Sequence, residues 1–247
     1  MKNISIKSQL IIYLALFASY LSIIDKNVSF LLAVLFATVS AAAVDSAFTY
    51  ITSKKLLVTE SSIISGLIIG YVLASDNRWW VFIAAAFIAI GSKHFIRFKG
   101  KHLFNPAAIG IFLSMVLLQA QTQWKGTYVW YIVVPFGLYF VWKIRKLEVL
   151  YNYAVSSLVL FGIQAFTQHV PPANIFGYFS YFYIFVMLIE PKTTPIKPLT
   201  KTIFGIGVAA LIFALTQAGV TFDVELASLL VLNMCVPVLN KIPEVKR

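Results

Sequence analysis

The chain has 247 residues, of which 60% are hydrophobic and only 12% charged, with a formal net charge of +11. Soluble domains carry about one-quarter charged residues, so composition excludes a water-soluble globular protein. It excludes a nucleic-acid partner as well, because the basic residues form short clusters between apolar runs rather than one continuous basic face.

The apolar runs predict ten transmembrane helices, at about 8–24, 28–51, 58–75, 79–92, 104–118, 127–142, 149–166, 174–189, 201–217 and 223–239. Alternate threading gathers Lys2, Lys7, Lys54, Lys55, Lys93, Arg97, Lys99, Lys101, Lys143, Arg145, Lys146, Lys192, Lys197, Lys201, Lys241, Lys246 and Arg247 on one side. Only Lys26, Arg78 and Lys125 fall opposite. Short cytoplasmic loops retain Lys and Arg, so the expectation is a multi-pass protein of the cell (inner) membrane with both termini cytoplasmic. Dropping any one helix would scatter this pattern. Several runs are shorter than the ~20 residues of an upright crossing. The first run has a basic start like a signal peptide but no small-residue cleavage site, and it reads as a transmembrane helix.

The second run carries Asp45 toward its inner end, where it either reaches the cytoplasmic interface, pairs with Lys54 or Lys55, or serves a buried functional role. A charge inside a membrane is costly, so such a carboxylate needs one of these. The third run opens on Thr59-Glu60-Ser61-Ser62-Ile63-Ile64-Ser65-Gly66, where Thr59 suits an N-cap and Glu60 suits the positive helix end. Ser62, Gly66 and Gly70 are spaced by four, as in a close-packing ridge. Ser61, Ser62 and Ser65 serve either that packing or a ligand. Trp79, Trp80, Trp124 and Trp130 read as anchors at the outer interface.

Before the fifth run stands Lys101-His102-Leu103-Phe104-Asn105-Pro106-Ala107. Asn105 is biased away from helical geometry by the following proline, and Pro106 suits a first helical turn. The Asn105 side chain can therefore cap that helix or turn outward to a ligand. The loop Gln119–Gly126 divides the single membrane domain, 1–247, into halves of about 1–120 and 125–247. Five crossings per half turn the second upside down, and inverted repeats place their site near the membrane midplane.

In the second half, the aromatics Phe176, Tyr178, Phe179, Tyr181, Phe182, Tyr183 and Phe185 precede Glu190. This carboxylate lies at a helix end that disfavours negative charge, so Lys192 or a ligand is its expected partner. Pro191, Pro195 and Pro198 rule out a continuous helix beyond it. Cys235 is the only cysteine, and His94, His102 and His169 are scattered. No metal-ligand set, nucleophile–base pair or phosphate loop emerges, so no catalytic or metal residue is assigned.

Three stretches taken together resemble a known family: Thr59–Gly66, Lys101–Ala107 and Met187-Leu188-Ile189-Glu190-Pro191-Lys192-Thr193-Thr194-Pro195. Their order and spacing are similar to those of the D subunit of the Rnf electron-transport complex and the B subunit of the sodium-translocating NADH:quinone reductase. The resemblance implies an all-α integral membrane fold, an inverted five-plus-five repeat similar to urea transporters. It implies a subunit of a flavin-dependent electron-transport complex coupled to Na⁺ or H⁺ translocation, with the complex's other subunits and the lipid bilayer as partners. It further implies that Asn105, His102, Ser65, Glu60 and Glu190 contact a flavin, FMN or riboflavin. The family's covalent-FMN motif is missing from Gln119–Thr127, so any flavin here is expected to be non-covalent. The alternative is a transporter or channel for a small polar solute or vitamin on the same fold.

Overall fold

A computed structural model describes residues 4–171, 175–177 and 179–243. Lys2, Lys246 and Arg247 of the basic side, and Tyr178 of the aromatic stretch, lie outside the described residues. The chain forms two compact units, Met1–Gly126 and Thr127–Arg247. Among the described residues the fold is helical apart from one short hairpin.

The first unit contains α1 (Ile6–Ile24), α2 (Val28–Ser53), α3 (Glu60–Val72), α4 (Trp79–Phe95), the hairpin β1 (Arg97–Phe98) and β2 (Lys101–His102), and α5 (Pro106–Leu118). Local chemistry sets most of the boundaries. Ser5 caps α1 by accepting from the Ser8 N–H at 3.0 Å, and Asn27 caps α2 through the Phe30 N–H at 2.9 Å. Lys54 ends α2 in a left-handed conformation, φ 57°. In the hairpin, Lys99 and Gly100 have φ of 48° and 78°, the two positive angles that a tight β-turn requires.

The core of this unit runs from Leu14, Phe17 and Leu21 through Phe30, Ala37 and Ala41 to Ile69 and Tyr71. Tyr71 anchors it: its ring stacks on Phe17 and meets Phe30 edge-on, while its hydroxyl donates to the Leu14 carbonyl at 2.7 Å. Helices α2 and α3 approach so closely that a Cβ on Gly66 would lie 2.5 Å from Thr38 Cα. One on Gly70 would lie 2.5 Å from Val34 Cα. The ridge read from the Ser62-Gly66-Gly70 spacing is thus a packing seam.

The loops of the first unit sort into two ends. At one end the Lys125 ammonium meets the Asp25 carboxylate at 2.7 Å, and Leu73 bridges Thr122. Asn77 there donates to the Gln121 carbonyl and accepts from its N–H. At the other end lie the start of α1, the start of α3 and the end of α4.

The second unit contains α6 (Trp130–Lys143), α7 (Leu147–Thr167), a π-helical segment (Tyr183–Met187), α8 (Pro198–Gln217) and α9 (Val224–Leu239). The predicted eighth helix is not a regular α-helix. Its described core is the π-helical turn, and a Cβ on Gly137 of α6 would come within 2.5 Å of Phe185 in it. Close docking on that glycine fits a wide helical turn, whose extra residue re-aims the side chains. Residues 190–197 are irregular, as the prolines dictate. Pro198 occupies the first turn of α8, and Asp223 caps α9 through the Leu226 N–H at 3.0 Å.

Helices α1, α2, α7 and α8 are long and apolar enough to cross a membrane. At about 1.5 Å per residue, the 13 residues of α3 or α5 reach about 20 Å, short of a ~30 Å hydrocarbon core. Ile23, Leu16 and Val39 are exposed by 76%, 67% and 66%, with many other large apolar side chains turned outward. A surface of this kind calls for lipid.

Candidate functional site

The first unit builds its densest polar cluster around Asp45, which is 1% exposed. One carboxylate oxygen accepts from the Thr59 N–H at 2.9 Å and from the Thr59 hydroxyl at 2.7 Å. The other faces the Lys93 ammonium and His94 Nε2, each at 3.6 Å. Lys93 also donates to the Ser61 hydroxyl at 2.9 Å. The His94 ring stacks on Phe48, with centroids 4.9 Å apart. Asp45 therefore pairs with α4 and the start of α3, not with Lys54 or Lys55.

This arrangement is strongly directed. A buried ion pair stands only when further hydrogen bonds satisfy the charges, and Thr59 and Ser61 supply them here. Ser62 donates to the Thr59 carbonyl at 2.7 Å, and Ser65 to the Ser61 carbonyl at 2.8 Å, so the hydroxyl stripe fastens the first turns of α3. Glu60 points to a neighbouring element: its carboxylate accepts from Ser5 at 2.8 Å and from Ser8, both at the start of α1.

His102 and Asn105 come from the hairpin and the residues just after it, and both are buried. Asn105 takes the capping role, its Oδ1 accepting from the Ala108 N–H at 3.1 Å. Behind it α5 lies hard against α4, where a Cβ on Gly110 would meet the Ala85 carbonyl at 2.5 Å. Lys93 links hairpin and cluster, because its carbonyl accepts from Arg97 Nε at 2.6 Å while its ammonium holds Ser61. Glu60, Ser65, His102 and Asn105 thus belong to one unit, on elements joined through Lys93.

Glu190 belongs to the second unit. The Thr193 hydroxyl donates to its carboxylate at 3.2 Å, and the Thr194 hydroxyl to its carbonyl at 2.9 Å. Thr193 therefore supplies one partner of the Glu190 carboxylate. The irregular segment that follows is fixed from two sides. Buried Lys146 donates to the Pro195 carbonyl at 2.7 Å, and buried Asn233 to the Thr193 carbonyl at 3.1 Å.

Sequence reasoning missed Lys93, Thr59 and Lys146 as structural centres. In the sequence both lysines stand only as members of the basic side, and no spacing in the chain announces that they turn inward. No metal-binding group of three or more His, Cys, Asp or Glu occurs among the described residues.

These features define a multi-pass helical membrane protein with a charged, hydroxyl-rich cluster at one end of its first unit. The chain belongs to the NQR2, RnfD, RnfE family, whose model matches residues 2–131. The match covers α1–α5 and the Thr59–Gly66 and Lys101–Ala107 motifs; the Met187–Pro195 motif lies beyond it. It makes the protein a membrane subunit of the Rnf and Nqr type in the broad sense, from a family that generally works within multi-subunit complexes. No curated protein matches the chain significantly.

Proposed function

We propose that this protein is an RnfD/NqrB-like subunit of a flavin-dependent electron-transport complex of the cell (inner) membrane, coupled to Na⁺ or H⁺ movement. Family membership over residues 2–131 is the observation that carries the reading. Flavin, bound non-covalently, would supply the one- and two-electron chemistry. Asn105, His102, Ser65 and Glu60 of the first unit would contact it. Their chemistry fits the group, since an amide, an imidazole, a hydroxyl and a carboxylate complement the alternating carbonyl and N–H groups of an isoalloxazine edge. Asn105, His102 and Ser65 are also buried, as a water-excluding pocket demands.

The proposed architecture is an inverted five-plus-five repeat, similar to urea transporters, with both termini cytoplasmic. Three likenesses between the units support it. The second helix is the longest in each, with 26 and 21 residues. The third element is short in each, with 13 residues in α3 and 5 in the π-helical segment. The segment after the third element is tied to the segment after the fifth, through Ala74 N–H to the Gln121 carbonyl and Ile196 N–H to Asn240 Oδ1. Reporter tags at both termini should be reached only from the cytoplasmic side, and a tag reached from outside would break the repeat.

The electron-transfer reading is tested by deleting the gene and measuring donor-to-quinone electron flow in isolated membranes. Loss of flow, restored by the wild-type gene, is expected; unchanged flow would overturn the reading. One observation favours solute transport on the same fold: residues 120–125 are engaged with Tyr71–Ala74, leaving no long loop for a covalent cofactor. Uptake of a polar solute into liposomes containing this chain alone would select that reading.

A further inference from the structure

The second unit carries a cleft of about 630 Å³ that the proposed redox role does not use. Trp142, Lys143, Arg145, Leu147, Glu148 and Lys201 line it. The turn joining α6 to α7 forms one wall and the first turn of α8 the other. Helices α7 and α8 are both long enough to cross a membrane, so a cleft at their N-terminal ends lies at the boundary between lipid and water.

Its charge is unbalanced. Glu148 is held by Lys201 at 2.8 Å, and Lys201 also donates to the Arg145 carbonyl at 3.2 Å. Lys143 and Arg145 are exposed, and no ion pair engages either among the described residues. Lys143 lies over the Trp142 and Tyr139 rings, 5.6 and 5.8 Å from their centroids, which orients the ammonium beside an amphipathic aromatic wall. The positive ends of α7 and α8 add to the attraction for an anion.

The surroundings specify the rest of the ligand. Trp142, Leu147, Tyr151 and Leu199 are exposed by 61%, 44%, 67% and 46% on the helices that form the cleft. Apolar walls leading into a basic cleft at the membrane boundary match a molecule with an anionic head and hydrocarbon chains. A soluble anion would use the charges and leave those walls without a role. We propose that this cleft binds the headgroup of an anionic phospholipid, with Lys143 and Arg145 on the phosphate and Trp142 and Leu199 beside the acyl chains.

The test uses the full chain purified in mild detergent and exchanged into a lipid-free micelle. Phosphatidylglycerol, phosphatidylcholine or inorganic phosphate is then added, and retained lipid is counted by native mass spectrometry. Wild type should retain phosphatidylglycerol in preference to phosphatidylcholine. Each basic residue near an anionic lipid surface is worth about a fivefold change in affinity. The double variant Lys143→Gln/Arg145→Asn should therefore weaken retention by about twenty- to thirtyfold. Asn is chosen because Arg145 has φ 58°, a left-handed setting that Asn tolerates. Should the double variant not fold, Lys143→Gln alone at the exposed position should lower retention about fivefold. Equal retention of the two lipids, retention unchanged in the variants, or displacement of phosphatidylglycerol by inorganic phosphate would each overturn the proposal.

Discussion

The two units each bury a lysine near a helix end, and each lysine binds a different kind of element. Lys93 in the first unit meets a carboxylate on another helix and two hydroxyls at the start of α3. Lys146 in the second meets the main-chain carbonyls of Thr194 and Pro195. The first solution ties three helices together through full charges. The second includes neutral dipoles that become available because Pro191, Pro195 and Pro198 deny the 190–197 segment a helical ladder. A buried cation thus marks where helices converge in one unit and where a helix is interrupted in the other.

Removing one partner of each arrangement should separate them. Lys93→Met leaves Asp45 buried without its ammonium, and a broken buried pair costs about 3–5 kcal/mol. The melting temperature in detergent should fall steeply, and Asp45→Leu/Lys93→Met should recover most of the loss. Lys146→Met leaves carbonyls without a donor, a smaller cost of about 1–3 kcal/mol. Protease cleavage within 190–197 should rise in that variant while the first unit stays intact. Gly66→Ala forces a Cβ against Thr38 Cα, and overpacking of this kind costs about 1–3 kcal/mol, read as a lower melting temperature. Asn105→Ala removes the α5 cap for about 1 kcal/mol. Asn105→Asp keeps the capping oxygen and should recover the melting temperature, but it loses the amide and should still weaken flavin retention.

Much of the contrast was legible beforehand, for physical reasons. The apolar runs announced helices, because a stretch without charges has to bury its side chains in protein or lipid. Asn105-Pro106 announced a helix start, and the three prolines announced the interruption after Glu190. The partner of Asp45 was not legible. Lys54 stands nine residues beyond Asp45, about 14 Å by helical rise, and caps α2 with its ammonium over the Tyr50 ring. Lys93 reaches Asp45 only because α4 packs beside α2, and composition does not say which helices become neighbours. The eighth run misled for a related reason. Its aromatics read as a full helix, but the close docking of Phe185 on Gly137 accompanies a single π-helical turn.

A flavin held non-covalently, as proposed for this Rnf- and Nqr-type membrane subunit, is released when the protein is denatured. An absorbance spectrum of the gently purified protein, recorded before and after acid precipitation, tests it most directly. Flavin absorbance is expected to move entirely into the supernatant on precipitation and to be reduced in Asn105→Ala. A colourless protein, or flavin that stays in the pellet, would contradict it.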